Sequence, residues 1–542
     1  MASPDSDTRG DLEFGTTPRL VRIMAERRGD AEAIVDVDAG VTLTYRDLAD
    51  RVHEAARAFI AAGIEPGDRV AVWAPNIWEW PVAALGAQSA GAILVPLSTR
   101  FKGREAAYVL GKSGARALFT VSGFLDIDYV AMLRDLGDLD SLLPDLSTIV
   151  VMRGDVSGGT RSWDDFIAGG ELVSADTAAE RAEAVQPDDV SDILFTSGTT
   201  GHPKGVRTTH AHNLRAFWDW ATVVGLRDDD RYLVVNPFFH AFGYKAGILA
   251  SLMKGATLLP HAVFDPQAVL ERVPRDRISM LPAPPALFQT VLARDDLNAF
   301  DLSSLRLSVT GAAAIPTSLI VEMRERLGFE TIVTGYGLTE ACGIATMCRH
   351  DDDPETIAQT SGRAIPGVEV LVVDEERQEV PRGKPGEIVV RGYNVMLDYF
   401  DEPDETRATV DADGWLHTGD IGNMDERGYI RITDRVKDMF IVGGFNAYPA
   451  EIEAMMVSHP AIAAAAVVGV PDDRLGEVGW AYVVLRDGAK ADPDEIVGWC
   501  REEMANYKVP RRVEIVEALP LNAAGKVVKY ELRARASTTL AE

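Results

Sequence analysis

Cysteine is scarce: Cys342, Cys348 and Cys500 are the only three in 542 residues. An odd count with no C-x-x-C pair gives no disulfide framework and fits a reducing compartment. Neither Cys342 nor Cys348 has a sequence neighbour that would mark it as a nucleophile. Long apolar runs are missing too. The longest, Ala461 to Val470, is too short to span a bilayer. The opening Met-Ala-Ser-Pro-Asp-Ser-Asp has neither the basic region nor the apolar core of a signal peptide. A soluble cytoplasmic protein is expected, without stable membrane insertion. Positive charge is in deficit, with 54 Lys and Arg against 83 Asp and Glu and a net charge of −29. A field of that sign repels nucleic acid and anionic lipid, so neither is an expected partner. An anionic nucleotide would have to be held by local basic groups.

What is present supports large cores. Hydrophobic residues make up 46% of the chain, and the length allows two or more domains. From about Thr42 to Gly335, short apolar runs alternate with amphipathic stretches. Strands are predicted at Arg69–Trp73, Ala92–Pro96, Ala117–Val121, Tyr232–Val235, Thr257–Leu259, Ile278–Leu281, Leu305–Val309 and Thr331–Val333. Helices are predicted at Tyr45–Ala62, His212–Val224 and Ser318–Leu327. Such alternation argues α/β layers with helices covering a largely parallel sheet. From Val368 to Thr433, strands separated by Gly, Pro and Asp turns suggest a small β-rich subdomain. After Asp434-Arg435 the pattern runs helix, strand, strand, helix, strand over about a hundred residues, the size of an independent domain. The expected division is 1–434, with the β-rich part at about 365–433, and 435–542.

Thr196 to Gly205, TSGTTGHPKG, follows the apolar run Asp192-Ile193-Leu194-Phe195. Hydroxyls, bare backbone N–H groups and one lysine suit a ligand rich in negative oxygens, most simply a polyphosphate. Neither the Walker spacing nor the dinucleotide G-x-G-x-x-G can be drawn through it. Four further segments stand in order: Thr310-Gly311-Ala312-Ala313-Ala314, Tyr336-Gly337-Leu338-Thr339-Glu340, Gly414-Trp415-Leu416-His417-Thr418-Gly419-Asp420, and Ile432-Thr433-Asp434-Arg435-Val436-Lys437-Asp438. A carboxylate such as Glu340 is a hard oxygen ligand suited to magnesium, and a ring such as Tyr336 offers a flat apolar face. An ionised Asp420 can accept two hydrogen bonds. Gly443-Gly444-Phe445 would let a thin ligand approach the backbone closely. Pro520-Leu521-Asn522-Ala523-Ala524-Gly525-Lys526 ends in a flexible point charge.

Together these segments resemble the adenylate-forming enzymes: acyl-CoA synthetases, peptide-synthetase adenylation domains and beetle luciferases. The resemblance covers essentially the whole chain. It implies a large N-terminal domain of layered α/β sheets with a β-barrel subdomain, followed by a small mobile α+β C-terminal domain. It implies that Thr196, Ser197, Gly198, Thr199, Thr200, Gly201 and Lys204 bind ATP phosphates. Gly311 and Ala312 would line the adenine, Tyr336 would stack on it, Gly337 would lie in the nucleotide site, and Thr339 would reach the phosphates. Asp420 would hold the ribose, and Arg435 would lie near ribose or phosphate. Many relatives carry a second glycine where this chain has Ala312. Catalysis would rest on Lys526, Glu340 and Thr196, with Glu340 and Thr196 at Mg²⁺. The acid pocket would involve Phe239, His240, Tyr244, Gly311 and Gly337. Lys437 would be the hinge, and Gly443, Gly444 and Phe445 would face CoA.

The implied reaction joins a carboxylate to AMP from Mg-ATP and then to CoA, without a covalent enzyme intermediate. Its partners are small molecules, namely the acid, ATP and CoA, and homodimer formation is compatible with it. Asn236–Ala250 (NPFFHAFGYKAGILA) and Ile432–Glu451 resemble actinobacterial steroid-catabolic CoA ligases, implying a bicyclic indanedione propanoate as the acid. Medium-chain or aromatic acid–CoA ligase, carrier-protein loading, luciferase-like monooxygenase and non-catalytic nucleotide binding are the alternatives. The 236–250 segment lacks the Asp that amino-acid activators use for the ammonium group.

Overall fold

The computed structural model describes residues 9–196, 203–311, 315–435, 438–442, 445–447, 449–472, 475–504, 506–521 and 526–541, with backbone alone at 434, 435, 441, 445, 446, 451, 540 and 541. The architecture is α/β, in two compact units: Met1–Glu369 with Val390–Leu416, and Val370–Val389 with His417–Glu542. Among the described residues no helix is long and apolar enough to cross a membrane.

The first unit is built on a nine-stranded sheet. Its path runs Asp398–Tyr399, Lys204–Thr209, Val190–Thr196, Ile93–Pro96, Arg69–Trp73, Ala115–Phe124, Thr148–Arg153 and Arg161–Ser162, with Ile127–Asp128 paired to Ala115–Phe124. The pairings from Val190–Thr196 through Arg161–Ser162 are parallel. Parallel strands need cover on both faces, which explains why Arg69–Trp73 and Ile93–Pro96 are buried along nearly their whole lengths. A second sheet orders Arg231–Val234, Thr257–Pro260, Glu32–Asp36 and Val41–Thr44.

Helix Tyr45–Ala61 begins at a capping box in which Thr44 and Asp47 satisfy each other's backbone N–H groups. Its apolar stripe packs Phe59 against Phe119 and Phe166, at ring separations of 5.0 and 5.1 Å. Helix His210–Val224 starts two residues earlier than its periodicity indicates, because Thr209 caps it through the His212 N–H. The strand expected at Ile278–Leu281 reduces to bridges at Met280 with Tyr232 and Leu307. Pro282, Pro284 and Pro285 follow directly, and a residue without an N–H cannot extend a ladder.

A further four-stranded sheet orders Val368–Val373, Gly386–Gly392, Leu416–Met424 and Ile430–Arg435, and the second unit has a five-stranded sheet whose core is the long antiparallel pair Ile462–Asp472 and Gly476–Leu485. Helix Pro493–Glu503 ends at Met504, whose backbone is already extended.

Candidate active site

The Val190–Thr196 and Lys204–Thr209 strands pair antiparallel with Thr196 opposite Lys204. The hairpin therefore returns the chain from Thr196 to Lys204; Ser197, Gly198, Thr199, Thr200 and Gly201 lie outside the described residues. The Thr196 hydroxyl donates to the Lys204 carbonyl at 3.5 Å. Lys204 is ion-paired with Glu405, and its Nζ lies 4.9 Å from the centre of the Tyr399 ring. Tyr399 belongs to the short edge strand that pairs with Lys204–Thr209, opposite Val206. Its hydroxyl donates to Oε1 of Glu340 at 2.7 Å. Burial and the Glu340 carboxylate both push the Tyr399 phenol up, so it stays a proton donor. Glu340 sits on the single turn Thr339–Ala341, and its carbonyl accepts the Met396 N–H at 2.8 Å. Lys204 and Glu340, far apart in sequence, thus meet at Tyr399, and Thr196 joins them through the Lys204 carbonyl. Neither Tyr399 nor Glu405 carries a sequence signal of its own; strand pairing reveals Tyr399, and the ion pair from helix Pro403–Thr409 reveals Glu405.

Tyr336 lies in a two-residue strand opposite Thr346 and is largely buried. The next residue must be glycine: a Cβ on Gly337 would lie 2.2 Å from the Gly343 carbonyl oxygen. Gly311 follows the Leu307–Val309 strand, and Ala312 lies outside the described residues. Among the described residues no group of three His, Cys, Asp or Glu side chains forms a metal cluster.

In the Asn236–Ala250 segment, Phe239 is half-buried and His240 exposed, with the Phe242 N–H donating to His240 Nδ1 at 3.2 Å. Tyr244, expected at the acid pocket, is a core side chain. It is fully buried, 5.8 Å from Trp80, and its hydroxyl accepts from Gln88 at 2.8 Å. The segment forms a π-helix over Phe242–Leu249, a rare geometry that is frequent at functional sites. All three cysteines are buried, and burial pushes the Cys342 thiol to about 11 and the Cys348 thiol to about 12. Thiols so held are inert at neutral pH.

In the second unit, Asp420 and Arg435 are direct cross-strand partners between Leu416–Met424 and Ile430–Arg435. Asp420 follows Gly419, whose φ of +68° is the left-handed conformation that glycine adopts without strain. Glu387 fixes this turn. One of its oxygens accepts the Gly419 N–H at 3.0 Å, and the other lies 2.9 Å from His417 Nδ1. The Thr418 hydroxyl donates to the Ile388 carbonyl at 2.7 Å. Glu387 escapes a motif reading because it lies thirty-odd residues upstream. Lys526 is exposed, beside a bridge that joins Leu521 to Val527. Val442 and Phe445 pair at the end of a hairpin; Gly443, Gly444 and Lys437 lie outside the described residues.

The AMP-binding enzyme family matches residues 21–400, and the AMP-binding enzyme C-terminal domain matches residues 451–526. The chain is 48% identical to the 3-[(3aS,4S,7aS)-7a-methyl-1,5-dioxo-octahydro-1H-inden-4-yl]propanoyl:CoA ligase of Rhodococcus jostii (strain RHA1), covering 96% of this chain and 98% of that one. It is also 48% identical to the ligase of the same name from Mycobacterium tuberculosis, covering 96% and 99%. Among solved structures it is similar to the anthranilate CoA ligase AuaEII in complex with anthranoyl-AMP, with a TM-score of 0.86 at 28% identity over 97% of this chain and 98% of that one. The chain belongs to the AMP-binding enzyme family and is an acid–thiol ligase of it.

Proposed function

We propose that this chain activates a bicyclic indanedione propanoate for steroid-ring degradation in two steps. The carboxylate attacks the α-phosphorus of ATP, expelling pyrophosphate and leaving the acyl-adenylate. The thiol of CoA then attacks the acyl carbon, and AMP departs. No enzyme nucleophile is required, so the protein contributes positioning and charge neutralisation. The linkage of Thr196, Lys204, Tyr399 and Glu340 at the base of the nucleotide hairpin is the observation that carries the first step.

Each residue then has a defined task. Thr196, Lys204 and residues 197–201 take the phosphates. Tyr336, Gly337, Gly311 and Ala312 take the adenine, Asp420 takes the ribose hydroxyls, and Arg435 stands near them. Lys526 stabilises charge at the reacting carboxylate and α-phosphate during adenylation. Lys437 is the pivot between half-reactions, and Gly443, Gly444 and Phe445 receive the pantetheine arm. Phe239 and His240 contact the acid.

Mg²⁺ fits this donor set. It favours oxygen ligands and usually takes one or two carboxylates together with substrate phosphates and waters, so Glu340 with the Thr196 hydroxyl suffices without a three-ligand cluster. When bound, it neutralises phosphate charge. Bulk ATP and CoA place the reaction in the cytoplasm, where three free, buried thiols stay reduced.

The substrate assignment rests on two relatives of that name, matched over nearly their full lengths. A panel of acids assayed for CoA-dependent AMP formation tests it. The expected kcat/KM for the indanedione propanoate exceeds that for octanoate or palmitate by at least about tenfold, or ~1.4 kcal/mol. A straight-chain or simple aromatic acid winning the panel would overturn the substrate and leave the ligase reading standing.

A further inference from the structure

A lysine lies at the centre of the acid-side π-helix with no solvent contact. Lys245 and Asp192 are both fully buried, and their charged groups are 3.2 Å apart. The ammonium also donates to the Thr208 hydroxyl at 3.0 Å and lies 3.7 Å from Cys342 Sγ. Asn213 completes the cluster: its amide donates to Asp192 and to the Ser191 hydroxyl, while its carbonyl oxygen accepts from Cys342 Sγ at 2.9 Å.

Where these groups sit in the chain gives the cluster meaning. Asp192 is on the strand that ends at Thr196, and Thr208 is on the strand that begins at Lys204. Asn213 is on helix His210–Val224. Cys342 stands two residues after Glu340, in a left-handed conformation with φ of +57°. One ammonium on the acid segment therefore gathers both arms of the nucleotide hairpin and the end of the Glu340 turn. A buried ion pair is a poor source of net stability, because desolvation cancels most of its attraction, and apolar packing of equal volume does as well. What it does provide is one permitted arrangement: a shift of either element strands a charge in the interior. The π-helix points the same way. Gly243 packs so tightly that a Cβ would lie 2.0 Å from the Pro237 carbonyl oxygen, so this backbone has little room to adopt another register.

We propose that Lys245 is a positioning residue for adenylation, fixing the register of the acid-binding segment against the nucleotide hairpin and the Glu340 turn through Asp192, Thr208 and Cys342. This deepens the proposed function and rests on the assignment of residues 236–250 to the acid. Attack needs two separate molecules held at near-contact distance, so a small slip of one segment is costly. Once acid and AMP are joined covalently, that register no longer limits the rate. The effect belongs to the first half-reaction.

The test uses the full chain with both charges removed together, Asp192→Asn with Lys245→Met, so that no lone charge is left buried. ATP–pyrophosphate exchange is expected to fall by about tenfold or more in kcat, while the Kd for ATP and the rate of thioester formation from supplied acyl-adenylate stay within about threefold. Thr208→Val, which keeps the ion pair and removes one acceptor of the ammonium, should show the same split to a smaller degree. It decides the question if the double variant does not fold. Equal loss in both half-reactions, or no loss in exchange, would overturn the proposal. The acid assignment is read separately: Phe239→Ala and His240→Ala should raise KM for the acid and not for ATP. If they do not, that assignment fails, whatever Lys245 does.

Discussion

The hydroxyl of Tyr399 donates to the Glu340 carboxylate at 2.7 Å, across a separation of 59 residues in sequence. The contact exists because Asp398–Tyr399 adds an antiparallel edge strand beside Lys204–Thr209. The same ring lies 4.9 Å from Lys204 Nζ. One side chain thus orients the carboxylate proposed for magnesium and shapes the setting of the lysine proposed for phosphate.

Tyr399→Phe keeps the ring beside Lys204 and removes only the donor to Glu340. Groups that orient a metal ligand typically cost 10–100-fold when lost, so pyrophosphate release should fall by about tenfold and its Mg²⁺ dependence should move to higher concentration. A titration of rate against Mg²⁺ reads both. An unchanged midpoint would remove Tyr399 from this role.

Lys526→Ala should block adenylation and largely spare thioester formation from supplied acyl-adenylate, since only the first step develops charge between carboxylate and α-phosphate. ATP–pyrophosphate exchange is the measurement. Exchange near the unmodified rate would show that Lys526 is an ordinary exposed lysine.

Lys437→Pro should have the opposite effect. Proline fixes φ and removes a donor, so a hinge there would lose the rotation that two half-reactions at one substrate require. Adenylation should persist while the CoA step drops by about tenfold or more, as seen by rapid quench of acyl-adenylate accumulation. Matching losses in both steps would point to misfolding or to a static enzyme.

Two buried histidines set an acid limit on stability. Burial pushes both His210 and His261 down from 6.5 to about 4. His210 Nδ1 is 3.1 Å from the Thr17 hydroxyl, and His261 Nδ1 is 3.1 Å from an Arg272 nitrogen. Because the folded values lie below the unfolded ones, the unfolded chain binds more protons as pH falls. Their contribution is fully present above about 6.5 and is lost between there and about 4. Urea unfolding across this range should show stability falling with acid, and His210→Gln should flatten part of the slope.

Much of the fold was legible because its signals are local. Arg69–Trp73 and Thr331–Val333 occupy the segments their apolar pattern predicts. Ile278–Leu281 is reduced to single bridges at Met280, since Pro282, Pro284 and Pro285 just beyond it have no N–H to continue a ladder. Of the acid-segment residues, Tyr244 read as a pocket wall because aromatic content says nothing about which way a ring faces. Its contacts with Trp80 and Gln88 place it in the core.

The sequence alone determined the family, the order of the motifs and the kind of group each supplies, because glycine, hydroxyl, carboxylate and lysine have fixed chemistry wherever they stand. Only tertiary structure decided which distant side chains meet them: Tyr399 at Glu340, Glu405 at Lys204, Glu387 at Gly419, and Asp192 at Lys245. These partners are brought together by strand pairing and by burial of the π-helix. Each such contact depends on register between elements far apart in the chain, and register leaves no mark on any single segment.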